Sequence, residues 1–141
     1  MPLKLKLKPN EEIVINGCIL QNDNRRHTLT IKNFANVVRG HDLLKQEEAT
    51  TPTKGIYFAI QTMLIEPGSV DSISTEVQKS LGELYCAFAN DDVRNRIMEA
   101  ATFVSGFDYY KALVALRQVI TYEEKALSRL NEEELAGEAA Q

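Results

Sequence analysis

EEATTPTKGIYFAIQTMLIEPG, residues 47–68, has a marked start, a marked stop and an oily segment between them. Thr51 can cap a helix with its hydroxyl, and Pro52 suits the first turn, where a missing N–H costs nothing. Pro67 and Gly68 end the segment. In between, Ile56, Tyr57, Phe58, Ile60, Met63, Leu64 and Ile65 cover most of the circumference, leaving Lys54, Gln61 and Thr62 as a narrow polar side. A helix with that profile is buried on several sides. The stretch therefore predicts a hub, with a sheet against one side and further helices against another.

Upstream of the hub the period is two. In LKLKLK, residues 3–8, the leucines point one way and the lysines the other. Pro9-Asn10 breaks this run. EIVINGCILQ follows, with Asn16-Gly17 between two aliphatic runs, the strongest short signal for a type I′ hairpin. After the polar loop QNDNRRH, Thr28–Lys32 alternates again, and Ala35–Arg39 suggests a short strand ended by Gly40. Residues 3–39 thus read as an antiparallel β-meander with one apolar face and one basic or polar face.

Downstream the period is helical. Ile73, Val77, Leu81, Leu84 and Phe88 line one face of Val70–Phe88. Asn90 caps the next helix, whose stripe is Val93, Ile97, Ala100, Ala101 and Val104, and Gly106 ends it. A last helix begins at Asp108, with Tyr109, Leu113, Leu116 and Ile120 on one face. NEEELAGEAAQ, residues 131–141, is acidic and poor in large apolar residues, so it is expected to be a disordered tail. The fold class is α+β: the N-terminal meander packed on a C-terminal bundle of about four helices. A chain of 141 residues suits one domain, 1–130, with the meander at 3–39 and the bundle at 51–130.

Few chemistries are compatible with these residues. His27 and His41 lie in expected loops, without a cysteine or carboxylate at metal-ligand spacing, and read as surface side chains. Cys18 and Cys86 sit in apolar segments and read as buried, reduced thiols of a cytoplasmic protein. Asp91-Asp92 is explained by a helix start, and Glu132–Glu134 by a solvated tail. The serines lack a G-x-S-x-G elbow, and no phosphate-binding glycine loop is present. The expectation is a non-enzymatic protein without metal or cofactor. No run approaches the roughly 18 apolar residues of a membrane span, and MPLKLKLKPNEE lacks the apolar core of a signal peptide.

Charge is polarised along the chain. Residues 1–45 carry eight basic against four acidic side chains, net +4, and residues 46–141 carry eight against sixteen, net −8. Lys4, Lys6 and Lys8 project from one strand face, Arg25 and Arg26 crown a loop, and Lys32 sits on a neighbouring strand. Such a cluster can follow a phosphate backbone. Equally, the lysines can keep a sheet edge soluble and guard it against aggregation. Phe34 is the one aromatic in the first fifty residues, so a base-stacking platform of the RRM or OB type is missing. In the helical half the aromatics read mostly as core by periodicity; Phe107, Tyr109 and Tyr110 crowd a turn and are candidates for a protein-partner anchor, with core packing the favoured reading for any one of them.

Taken together, LKLKLKPNEEIVING, ATTPTKGIYFAIQTML and GFDYYKALVALRQVITYEE, in this order and spacing, resemble the FlbT family of bacterial flagellin regulators. The likeness spans about residues 3–124. It implies a post-transcriptional regulator that binds the 5′ untranslated leader of flagellin mRNA and controls its stability or translation. In some bacteria the effect is negative and in others positive. It implies work alongside a second small regulator, FlaF, and no catalytic motif. It supplies no RNA-contact residues; Lys4, Lys6, Lys8, Arg25, Arg26 and Lys32 follow from charge and alternation alone. The competing expectation is a protein-interaction module that binds FlaF, flagellin or an export component, with only an indirect effect on mRNA. Homo-oligomers joined edge to edge fit that second expectation.

Overall fold

The computed structural model describes residues 2–139. Five strands, β1 (Leu3–Leu7), β2 (Glu12–Ile15), β3 (Cys18–Gln21), β4 (His27–Ile31) and β5 (Val37–Val38), precede four helices. These are α1 (Pro52–Ile65), α2 (Val70–Ala87), α3 (Asp91–Ser105) and α4 (Tyr109–Ala139). The class is α+β, as the two periods imply.

The strands are all antiparallel but form two small sheets, β1-β4 and β3-β2-β5. The meander thus does not run between sequential neighbours throughout: β1 skips β2 and pairs with β4. The reason lies at the corner Lys8-Pro9-Asn10-Glu11. Asn10 takes φ 61° there, and the Glu11 N–H donates to the Lys8 carbonyl. Glu11 and Asn22 exchange strand for turn at the same level, through Asn22 N–H to the Glu11 carbonyl at 2.9 Å. The chain leaves one sheet for the other at both points. The Asn16-Gly17 hairpin forms as expected, with φ of 50° and 82° and Ile15 facing Cys18.

Val14 and Val38 join the helical core, so β2 and β5 are the strands that meet the bundle. The hub is α1. Thr51 caps it, its hydroxyl accepting from the Lys54 N–H at 3.2 Å. Ile56, Tyr57, Ile60 and Met63 are buried, and full burial of one such side chain stabilises by about 1.5–3 kcal/mol. The Gly17 turn rests against its last turn: a Cβ at Gly17 would stand 2.9 Å from the Leu64 carbonyl oxygen. Gln61, read as part of the polar side, is instead buried. Its amide donates to the Leu44 carbonyl and accepts from the Leu44 N–H, both at 2.9 Å. That pair holds the irregular connector from the sheets against α1. Tyr57 does the same further along, donating to the Asp42 carbonyl at 2.6 Å and accepting from Arg117 Nε at 3.1 Å. Burial raises the Tyr57 phenol above its ordinary pKa, although Arg117 opposes the shift.

Two expectations change, one about burial and one about order. Cys18 and Cys86 are both exposed, because β3 is an edge strand with all four side chains open and Cys86 falls beside, not on, the Val77–Leu81–Leu84 face. The segment from Asn131, expected to be disordered, continues α4 as helix to Ala139. Its glutamates, leucine and alanines are strong helix formers, although every side chain from Leu127 to Gly137 is exposed.

Between α3 and α4 the chain closes a Schellman motif. The Asp108 N–H donates to the Phe103 carbonyl at 2.8 Å and the Phe107 N–H to the Val104 carbonyl at 3.1 Å. Phe107 holds the left-handed position at φ 62°, where glycine is the favoured residue. Phe107→Gly should therefore raise the unfolding free energy by about 0.5–1 kcal/mol in urea titrations. A loss of stability would show that the ring itself is held by the fold.

Candidate nucleic-acid interface

The β1-β4 ribbon positions the cations. Its register pairs Lys4 with Thr30 and Lys6 with Thr28, and directly opposed residues share a face. Lys8, Arg26 and Lys32 lie one residue beyond the paired segments, and the same alternation puts them on this face. One side of the ribbon therefore carries Lys4, Lys6 and Lys8 along one strand, and Arg26, Thr28, Thr30 and Lys32 along the other. All seven are exposed. The opposite side carries Leu3, Leu5, Leu7, Leu29 and Ile31, with Leu5 buried. The ribbon has no extensive contact with any helix, and its cationic side chains are open to solvent.

Arg25 is off this face, in the loop before β4. The loop is ordered by its own polar side chains: the Arg25 N–H donates to Asp23 Oδ1 at 3.1 Å, and Asn22 Nδ2 donates to the Arg25 and Lys8 carbonyls at 2.8 Å each. The Arg25 side chain is exposed at the ribbon's end beside Arg26. Among the described residues, none of Lys4, Lys6, Lys8, Arg25, Arg26 and Lys32 takes part in an ion pair. Their charge is thus presented to solvent and not spent within the fold.

Two residues that spacing did not single out hold the ribbon in place. Arg39 Nη2 donates to the Lys6 carbonyl at 2.8 Å, and the same guanidinium forks onto Glu11 through Nε and Nη2. Glu11 Oε1 also accepts from the Lys8 N–H at 2.9 Å. Residues 11 and 39 are too far apart in sequence for any periodicity to have joined them. Burial pushes the Glu11 carboxyl up, but the Lys8 amide and the Arg39 guanidinium outweigh it and hold the pKa below its ordinary value. The sign follows. A carboxyl with a lowered folded pKa adds stability that is full above its unfolded value, near 4.5, and is lost as pH falls through the folded value. The stability gap between the natural chain and Glu11→Gln should therefore narrow in urea unfolding as pH drops from 7 to 3. A gap that stays constant would mean the carboxylate charge is not what Arg39 holds.

The aromatic turn in the helical half divides. Tyr109, named as a partner anchor, is buried: Asp108 caps α4 through the Lys111 N–H, which turns the first helical residue into the core. Tyr110 is half-buried, and Phe107 is 76% exposed. Between α1 and α2 runs an open groove of about 580 Å³ lined by Ile56, Ala59, Ile73, Val77, Leu84 and Phe88 among others. His27 and His41 are exposed, and among the described residues no group of three or more His, Cys, Asp or Glu could hold a metal ion. Among the described helices, none is long and apolar enough to cross a membrane.

Such geometry defines a small scaffold that offers surfaces: a cationic ribbon at one end and a helical bundle with an apolar groove at the other. The family model described as flagellar protein FlbT matches residues 3–127. A Caulobacter sp. (strain K31) protein named probable flagellum biosynthesis repressor protein FlbT is 36% identical over 93% of this chain and 100% of its own. The flagellum biosynthesis repressor protein FlbT of Caulobacter vibrioides is 34% identical over 97% of each. A probable FlbT of Mesorhizobium japonicum is 31% identical over 89% of this chain and 84% of its own. No solved structure matches. The chain belongs to the FlbT family.

Proposed function

We propose that this protein regulates flagellar synthesis after transcription, in the cytoplasm, by binding the 5′ untranslated leader of flagellin mRNA through the cationic side of the ribbon. The family likeness supports the flagellar role, and its curated relatives carry the name of repressors. One observation carries the choice of surface: lysines at successive outward positions of β1, with Lys8, Arg26 and Lys32 exposed at the ends of the two paired strands, none of them ion-paired among the described residues. Lys4 and Lys6 stand about 7 Å apart along the strand, a step that suits successive phosphates of an extended strand. Binding of the purified chain to the flagellin leader, measured beside an unrelated RNA of equal length, tests the proposal. Equal affinity for both would leave only non-specific attraction.

A second reading is supported by the α1–α2 groove and the exposed Phe107 ring. In it the bundle binds a protein such as FlaF or flagellin, and mRNA is affected indirectly. The open edge of β3 is where a second copy would add. Pull-down of purified flagellin or FlaF before and after nuclease treatment separates the readings. Retention without RNA favours the protein partner.

A further inference from the structure

We propose that Phe34 stacks on an unpaired base of the strand whose phosphates run along the ribbon. This rests on the leader-binding reading and adds to it the form of RNA taken: single-stranded at this point, not duplex.

Phe34 is 86% exposed, the most open of the large apolar side chains among the described residues. A ring so placed adds almost nothing to the core. It lies two residues past Lys32, where the cationic face ends, in the segment that leads from β4 to β5. That segment is fixed at its far end. The Asn36 N–H donates to Asn16 Oδ1 and the Asn16 N–H donates to the Asn36 carbonyl, each at 2.9 Å. The ring is thus presented from a held loop at the end of the ribbon that carries Lys4 and Lys32. Within two residues on either side, Lys32, Asn33 and Asn36 are polar and Ala35 is the single apolar neighbour. An anchor for a protein partner works inside a dry apolar patch, whereas a base needs one ring face and a nearby cation for its phosphate. The cation is Lys32.

The test uses the full chain and two probes, a short oligouridylate and a fully paired RNA duplex of equal length. Phe34→Ala should weaken oligouridylate binding about tenfold, leave duplex binding unchanged and leave the salt slope of both unchanged. Phe34→Trp should restore the loss. Because the ring is exposed, the thermal midpoint of each variant should match the natural chain. Equal loss on both probes would overturn stacking. No loss on either would overturn it too. If Lys4, Lys6 and Lys8 neutralisation still weakens binding in that case, the ribbon reading survives without the stack. If the natural chain binds neither probe nor the leader, both fail together.

Discussion

Neutralising Lys4, Lys6 and Lys8 to glutamine should weaken binding to the flagellin leader about a hundredfold near 0.1 M salt. The size follows from counterion release. Each phosphate neutralised on a single strand contributes roughly 0.7 to the slope of log K against log salt, so losing three flattens the slope by about 2. Over the decade from about 1 M to 0.1 M salt, that is two decades of affinity. The loss should be nearly equal for leader and unrelated RNA, because these lysines address phosphates and not bases. The fold should survive, since all three side chains are exposed and none is ion-paired among the described residues. A salt titration of the triple variant that overlays the natural chain would remove the ribbon as the binding surface.

Glu123→Ala should cost the fold about 3 kcal/mol in urea unfolding. Glu123 is only 6% exposed. Its Oε2 accepts from the Thr53 hydroxyl at 2.7 Å and from the Thr53 N–H at 3.3 Å. Thr53 lies in the first turn of α1, so α4 supplies a carboxylate to the positive end of the hub helix. Truncation leaves a buried hydroxyl and a helix-start amide without partners, and each such group costs about 1–3 kcal/mol. The other oxygen, Oε1, is buried and has no hydrogen-bond partner among the described residues. Thr53→Val combined with Glu123→Met should then be much less damaging than the two single changes added together. Strict additivity would mean the two side chains are not coupled, contrary to the short hydrogen bond.

What could be read from the chain follows from what periodicity measures. The caps of α1 and the Asn16-Gly17 turn were legible, because each is a local backbone requirement met by one or two residues. The lysine face was legible because alternation alone defines it. Which strand lies beside β1 was not: Pro9-Asn10 marks a corner, but nothing local says whether the chain returns on the same sheet or steps to another. Gln61 was misplaced, and Glu123 passed over, for a related reason. A polar side chain inside a helix reads as solvent-facing unless its distant partner, Leu44 or Thr53, is known. Tyr109 carried two readings, a place on the apolar face of the last helix and a place in a turn crowded with aromatics; its position one residue past the Asp108 cap decides for the first. Arg39 and Glu11 carry no motif, and only the corner of two sheets brings them together.

The double hydrogen bond between Gln61 and Leu44 is one of the ties that fasten the connector to the hub helix. A carboxylate in place of that amide would keep the bond from the Leu44 N–H but repel its carbonyl, loosening the connector at that point. The sheet would stay seated through Val14 and Val38, and Tyr57 would still grip Asp42, so the change would slacken one stitch of a seam that has several.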